Sequence, residues 1–310
     1  MNGHNTGPQF PGPISFGPIT CVTVSAPDLA VVESCYTEYL EYTVVERGRI
    51  GAELAKLWGC GGIADSRYLL LSPAAGDDCV LRFVAATETP DHIPFATFGW
   101  NAAEILVQNV DAIAERLVNS PFEIVGAPAN LSFTDDIRAM QIIGPGRELL
   151  YLTEIKRPIP GLDTPVARCS VDRVFIVILG GPSMVELQSF YGTHFGVPGA
   201  AVMESRVKGM SAAFDNSPET KYPIAALPLA GQTLIEADEM PAAAIARQSG
   251  DGLLPPGIGI VSFEGRGIDT DGAAPIVRNE APYRTAGGGP SRVSCRCGAA
   301  GELIEIIHRD

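Results

Sequence analysis

The sequence has few histidines and few basic residues. It contains 4 histidines, and its 22 lysine and arginine residues are outnumbered by 36 aspartate and glutamate residues, which gives a net charge of −14. A protein that tracks the phosphate backbone of a nucleic acid needs a basic stripe, and no cluster of lysine and arginine occurs here. Nucleic acid is therefore excluded as an expected partner, and the acidity by itself indicates a well-hydrated surface.

A long apolar run is also missing. No stretch of about 18 or more apolar residues occurs, so we predict no transmembrane helix and no membrane partner. Residues 1–17 are rich in glycine and proline and have neither a basic start nor an apolar core. We therefore expect a flexible N-terminal arm there rather than a secretory signal.

The cysteines do not form a recognisable framework. There are 7 of them, scattered along the chain, and Cys295 and Cys297 are separated by one residue with no second pair nearby. This spacing argues against structural zinc, and an odd, scattered set fits a reducing compartment better than disulfides. We therefore expect a cytoplasmic protein. Its 310 residues, 46% of them hydrophobic, are enough for two domains of about 150 residues each.

The sequence contains an internal duplication. Residues 145–152 and 299–306 share a small-residue turn, a glutamate and an alternating apolar strand. Upstream, residues 34–42 and 189–196 share an aromatic helix pattern. In each pair the two stretches are roughly 155 residues apart, so the repeating unit is half of the chain.

The start of each half carries the most specific pattern. Residues 19–29 form a predicted strand that ends in the turn Pro27-Asp28-Leu29, and a helix with the aromatic pair Tyr36 and Tyr39 follows. This order resembles the vicinal-oxygen-chelate superfamily, which includes glyoxalase I, bleomycin-resistance proteins and extradiol ring-cleavage dioxygenases. The resemblance implies an α+β fold in which paired βαβββ modules form two curled mixed sheets, with four modules in two tandem domains.

The resemblance also suggests how the chain is divided. We expect a first domain at residues 18–155, a proline-rich linker at 156–167 and a second domain at 168–310, each domain curling its own sheet around a pocket. Residues 237–256 are interpreted as a loop and helix that could cover a pocket mouth. Because each pocket would close within one chain, a monomer or a weak homodimer is expected.

The family resemblance implies a divalent metal held by histidine, glutamine or glutamate on first and last strands of modules. The matching positions here are Cys21, Ala102, Arg173 and Ile260 on first strands and Arg82, Tyr151 and Glu305 on last strands. Glu305 alone is of the expected type, and arginine cannot ligate a metal. We therefore expect no metal or other cofactor; Mg²⁺ held by Glu104 and other oxygens is the alternative.

Without a metal, the same inward positions become a candidate substrate pocket. The candidate substrate-binding residues are Cys21, Arg82, Arg138, Gln141, Arg173 and Glu305. Buried charges need partners, so we expect Arg82 to pair with Glu104, and Arg173 with Glu305. The alternative is that such pairs only fill vacated metal positions. Cys21 could be a nucleophile or a packing residue, and Arg82 would supply it with charge but no base.

Glu104 and Tyr151 are the candidate catalytic residues. A carboxylate base beside a phenol suits proton abstraction next to a carbonyl, because the phenol can stabilise the enolate. The first functional hypothesis is thus a metal-independent lyase or isomerase that acts on a small carbonyl-bearing or aromatic metabolite. The alternatives are a small-molecule sequestering protein of the bleomycin-resistance type and an extradiol-type dioxygenase.

Overall fold

The computed structural model describes residues 15–76, 79–86, 92–131, 134–158, 164–267, 274–276 and 291–309. Within these ranges there are sixteen strands and five α-helices. The strands form two mixed sheets of eight strands each. This α+β architecture of paired modules confirms the predicted fold class. Most of the predicted arm and part of the predicted linker lie outside the described residues. None of the described helices is both long and apolar enough to cross a membrane.

Four successive modules supply these elements. The first contains β1 (Phe16–Ala26), α1 (Leu29–Tyr39), β2 (Thr43–Arg49), α2 (Ala52–Leu57), β3 (Arg67–Ser72) and β4 (Val80–Ala85). The second contains β5 (Gly99–Val107), α3 (Val110–Leu117), β6 (Glu123–Leu131), β7 (Thr134–Ile143) and β8 (Leu149–Ile155). The third contains β9 (Val171–Gly181), α4 (Met184–Phe195), β10 (Met203–Arg206), α5 (Lys208–Ala213), β11 (Lys221–Leu229) and β12 (Thr233–Glu239). The fourth contains β13 (Gly257–Arg266), β14 (Ala274–Ile276), β15 (Ser291–Cys297) and β16 (Leu303–Arg309).

Capping residues fix where the longer helices begin. Asp28 accepts hydrogen bonds from the backbone N–H groups of Ala30 and Val31 at the start of α1. Asn109 and Ser183 cap α3 and α4 in the same way. Such side chains satisfy backbone donors that have no partner inside the helix. The strand–turn–helix pattern read from the sequence is therefore a capping pattern.

The modules pair differently from the expectation that each half of the chain forms its own sheet. The strand order is β14-β15-β16-β13-β1-β4-β3-β2 in the first sheet and β10-β11-β12-β9-β5-β8-β7-β6 in the second. Module one thus joins module four through antiparallel β1 and β13, and module two joins module three through β5 and β9. Local sequence patterns specify strands but not which of four similar first strands become neighbours. The position of a domain boundary stays a prediction.

One continuous apolar core unites the two sheets. It contains side chains from β1, β5, β9 and β13 together with the inner faces of α1, α3 and α4. The Trp100 indole crosses between the sheets and donates a hydrogen bond to the Leu303 carbonyl, at 2.9 Å. The opposite, concave face of each sheet carries a separate apolar cluster. Cys21 belongs to the first of these clusters, and Tyr151 packs against the second.

The duplicated motifs contact each other within each half of the chain. Tyr36 in α1 donates a hydrogen bond of 2.7 Å to Glu148, in the turn before β8. Tyr191 in α4 donates an equivalent bond of 2.9 Å to Glu302, in the turn before β16. Both carboxyl groups are buried, at 1% and 3% exposure. The duplicated stretches therefore form the same tyrosine–glutamate hydrogen bond in each half of the chain. This bond joins module one to module two, and module three to module four.

Burial of these carboxyl groups makes stability depend on pH. Burial raises the pKa of both Glu148 and Glu302 from 4.5 to about 7. The unfolded chain loses these protons from about pH 4.5 upward while the folded chain retains them to about pH 7, so the free energy of unfolding falls by about 3 kcal/mol per group across that interval. Denaturant titrations at pH 5 and pH 8 measure this fall. Glu148→Gln and Glu302→Gln should each reduce it, and an unchanged pH slope in both variants would contradict the assignment.

Residues 237–256 also differ from their interpretation as a loop and helix. Residues up to Glu239 belong to β12, and only the following residues form a loop. Arg247 anchors that loop by donating to Thr97, Asn101 and the Ile258 carbonyl at 3.0, 3.1 and 3.0 Å. Further along, Leu254 packs into the concave apolar cluster of the first sheet. The loop thus covers part of that concave face.

Candidate functional site

A buried ion pair occupies the concave face of the first sheet. Arg82 and Glu305 are 2% and 0% exposed, and the pair lies at 3.3 Å. Trp58 and Ser262 also donate to the Glu305 carboxylate, at 2.5 and 2.7 Å. The guanidinium group donates to Thr23 at 3.0 Å and lies 4.5 Å from the Trp58 ring centroid. Each charge therefore has a partner of opposite sign and further hydrogen bonds, which burial requires.

Both predicted ion pairs were wrong. Arg82 pairs with Glu305 rather than with Glu104, because module one shares its sheet with module four. Arg173 lies near the start of β9 in the other sheet, where its guanidinium donates to the Gly231 carbonyl at 3.2 Å. It therefore does not line the same face as Glu305.

The first concave face is packed with side chains around the ion pair, and a cavity of about 120 Å³ lies beside them, with Ile63, Val84 and Leu254 in its lining. The apolar cluster around the ion pair includes the buried residues Cys21, Ile50, Leu54, Trp58, Ile63, Leu70, Leu254 and Ile260. Burial raises the pKa of the Cys21 thiol, although Arg82 opposes this rise. A thiol held in its neutral form is a poor nucleophile, so Cys21 is best explained as a packing residue. Arg82 and Glu305 have the burial and partners of structural groups.

The second concave face brings the two predicted catalytic residues together. Glu104 on β5 is in register with Tyr151 on the parallel neighbour β8. Thr153, two residues further along β8, donates a hydrogen bond of 3.0 Å to Glu104. Gln141 on β7 is in register with Tyr151 from the other side. Since residues in register share a face, Gln141 lies on the face that holds Glu104 and Tyr151, and its role in substrate binding stays a prediction.

Two further carboxylates on this face were not predicted. Glu236 and Asp238 lie on β12, which is separated from β5 by β9; Glu236 is in register with Ile178. Asp238 is fully buried, and neither of its carboxyl oxygens has a hydrogen-bond partner. They were missed because the predicted loop and helix at residues 237–256 began inside β12, between Glu236 and Asp238. The available signal was the alternation in Thr233–Glu239, which places Glu236 and Asp238 on one face.

Burial and mutual repulsion raise the pKa of these acids. Glu104 retains some exposed surface, but its carboxyl group is enclosed by protein, and desolvation followed by the Glu236 charge raises its pKa to about 8. Burial raises the pKa of Glu236 to about 7. The pKa of Asp238 lies well above its usual range because of burial and then its two acidic neighbours. A carboxylate of raised pKa is a stronger base than an ordinary one.

Arg138 does not belong to this face. It lies on β7 three residues before Gln141 and therefore points to the opposite side of the sheet. Its guanidinium forms an ion pair of 2.8 Å with Asp111 at the start of α3. The prediction that Arg138 binds substrate is corrected by this geometry.

The donor groups do not fit the divalent metal that the fold family implies. In the first sheet, the Arg82 guanidinium already neutralises Glu305, and arginine is not a ligand. In the second sheet, Glu104, Glu236 and Asp238 influence one another, yet among the described residues no three acidic, histidine or cysteine side chains are grouped so that they could hold a metal ion.

This donor chemistry leads to an expectation for the purified protein. Elemental analysis of untagged protein should find well under one equivalent of iron, manganese, zinc or nickel per chain. A stoichiometric metal that is lost on Glu305→Gln or Glu104→Gln would contradict this prediction and would identify the sheet that holds it.

Comparisons with known proteins agree with this architecture. No protein-family model matches the chain, and no curated protein matches it significantly in sequence. Among solved structures, glyoxalase I from Zea mays is 13% identical with a TM-score of 0.61, over 94% of this chain and 93% of the maize chain. A candidate dioxygenase from Bacillus subtilis is 11% identical with a TM-score of 0.56, over 96% of this chain and 86% of that protein. The sequence resemblance is therefore confirmed in three dimensions: the chain has the fold of the vicinal-oxygen-chelate superfamily.

Proposed function

We propose that the chain is a metal-independent lyase or isomerase whose active site is the concave face of the second sheet. The observation that carries this proposal is Glu104: a carboxyl group of raised pKa, held by Thr153 and in register with Tyr151. The first sheet is a less suitable active site, because the charged groups on its concave face, Arg82 and Glu305, already neutralise each other.

The proposed reaction begins with proton transfer to Glu104. A substrate carbon next to a carbonyl gives its proton to the Glu104 carboxylate, and the electron pair of the broken C–H bond moves to the carbonyl oxygen. The Tyr151 phenol donates a hydrogen bond to the enolate oxygen that forms. Because burial and the neighbouring acids keep the phenol neutral by raising its pKa, it remains a donor. Return of the proton to another carbon gives an isomerase, and departure of a β-substituent gives a lyase.

The position of the charges favours catalysis over sequestration. A protein that only stores a ligand is expected to line its pocket with aromatic groups and to keep charge near the mouth. Here Glu104, Glu236 and Asp238 lie on the central strands of the concave face, among apolar neighbours. Perturbed acids in a concave site are typical of functional centres.

Deuterium exchange tests the proposal although the substrate is not identified. The protein is incubated in D₂O with a panel of small aldehydes, ketones and thioesters, and the loss of the proton signal next to the carbonyl is followed by NMR. Exchange that requires the protein is the expected result. Tight binding of panel members without any exchange would instead favour the sequestering function, and would overturn the enzyme assignment.

A further inference from the structure

The second concave face carries three acidic side chains that influence one another. Glu104, Glu236 and Asp238, hereafter the acidic triad, form no ion pair within the described part of the chain. Within those residues, Thr153 donates to Glu104 the one hydrogen bond that the triad's side chains receive. By contrast, Glu305 in the first sheet is neutralised by Arg82. Among the described residues, the second face therefore has no cationic partner such as the one that Arg82 provides in the first sheet.

Asp238 is the strongest indication that a ligand binds here. It is 0% exposed, and both carboxyl oxygens lack a hydrogen-bond partner. Leaving a buried polar group without a hydrogen-bond partner is unfavourable, and more so for a charged group. It shares a face with Glu236, two residues earlier on β12. A cation supplied from solution would satisfy both acids at once.

The surroundings define what kind of cation fits. The triad is flanked by an apolar cluster whose members include Phe95, Ala102, Leu149, Ile178, Met210 and Tyr222, with Tyr151 and Ile224 partly buried against it. A divalent metal needs oxygens that converge on one point, and this triad does not offer such a group. An ammonium group carries three diverging N–H donors, so it can bind two acids that are spaced along one strand, as Glu236 and Asp238 are on β12. It also gains from contact with an aromatic face such as that of Tyr151.

We infer that the ligand of this site is a small primary amine, whose ammonium group binds Glu236 and Asp238 while its apolar body lies along Ile178 and Tyr151. This inference rests on the proposed function for the location of the active site. It names the substrate class: an amine that also carries the carbonyl presented to Glu104. The ammonium group would then position the acidic C–H bond at Glu104, two strands away from Glu236 and across β9.

Matched probes of one shape test the inference. Benzylamine, benzyl alcohol and benzoate are titrated into the full-length protein and binding is measured by calorimetry. Benzylamine should bind about 10-fold or more tightly than the alcohol, because a charge-assisted hydrogen bond to a carboxylate is worth roughly twice a neutral one, and benzoate should not bind. Asp238→Asn and Glu236→Gln should each reduce this preference about 10-fold. Glu204→Gln, which removes an exposed charge from β10 in the same sheet, is the control and should change nothing.

Three outcomes would overturn the inference. Equal binding of benzylamine and benzyl alcohol would show that charge is not recognised. Retention of the preference in both Asp238→Asn and Glu236→Gln would place amine binding elsewhere. Displacement of benzylamine by MgCl₂ at lower concentration would identify a metal site instead. Amine binding without deuterium exchange would contradict only the proposed reaction, whereas exchange without amine preference would contradict only this inference.

Discussion

Replacing Glu104 by glutamine is expected to lower protein-dependent deuterium exchange by about 10²-fold or more, which is the usual size of a general-base contribution. Glutamine keeps the shape of the side chain and can still accept the hydrogen bond from Thr153. Binding of the exchanging compound should therefore change little. Tyr151→Phe should reduce exchange less, because it removes one donor and leaves the base in place.

The pH dependence of exchange provides a second readout for Glu104. The reactive form is the carboxylate, so the wild-type rate should rise with pH through the raised pKa of about 8 and then level off. The Glu104→Gln variant should lack this step. If Glu104→Gln exchanges at the wild-type rate while a folded Glu305→Gln variant is inactive, the active centre lies in the first sheet and the proposed mechanism is wrong.

Replacing Arg82 by methionine is expected to lower the free energy of unfolding by about 3–5 kcal/mol, because it leaves the Glu305 charge buried without its cation. Both partners are at most 2% exposed, so water cannot replace the lost interaction. Glu305→Gln should destabilise the protein in a similar way by orphaning the guanidinium. Denaturant unfolding measured by circular dichroism gives both values.

The double variant and a surface control separate the ion pair from general packing. Arg82→Met combined with Glu305→Gln should cost clearly less than the sum of the two single changes, since neither charge is then left alone. Arg47→Met breaks an exposed pair with Glu33, with side-chain exposures of 62% and 35%, and should cost at most about 1 kcal/mol. An Arg82→Met cost no larger than that of Arg47→Met would contradict a structural role for the buried pair.

Much of the fold was accessible from local sequence features. The Pro27-Asp28-Leu29 turn predicted the beginning of α1, and the structure shows the cap that produces it. The duplicated stretches predicted repeated modules, and they meet as the Tyr36–Glu148 and Tyr191–Glu302 contacts. Alternation along β5 and β8 placed Glu104 and Tyr151 on one face, and their register confirms it. Such features depend on the few residues around them.

The sequence by itself determined the modules, their strands and the facing of Glu104, Tyr151 and Gln141, because side-chain alternation and helix capping are local properties. Only the tertiary structure decided that module one pairs with module four, and hence that Arg82 meets Glu305 from 223 residues away. It likewise decided that module two pairs with module three through β5 and β9, which brings Glu236 and Asp238 on β12 to the face that holds Glu104. Long-range strand pairing depends on packing of the whole core, which no local pattern encodes.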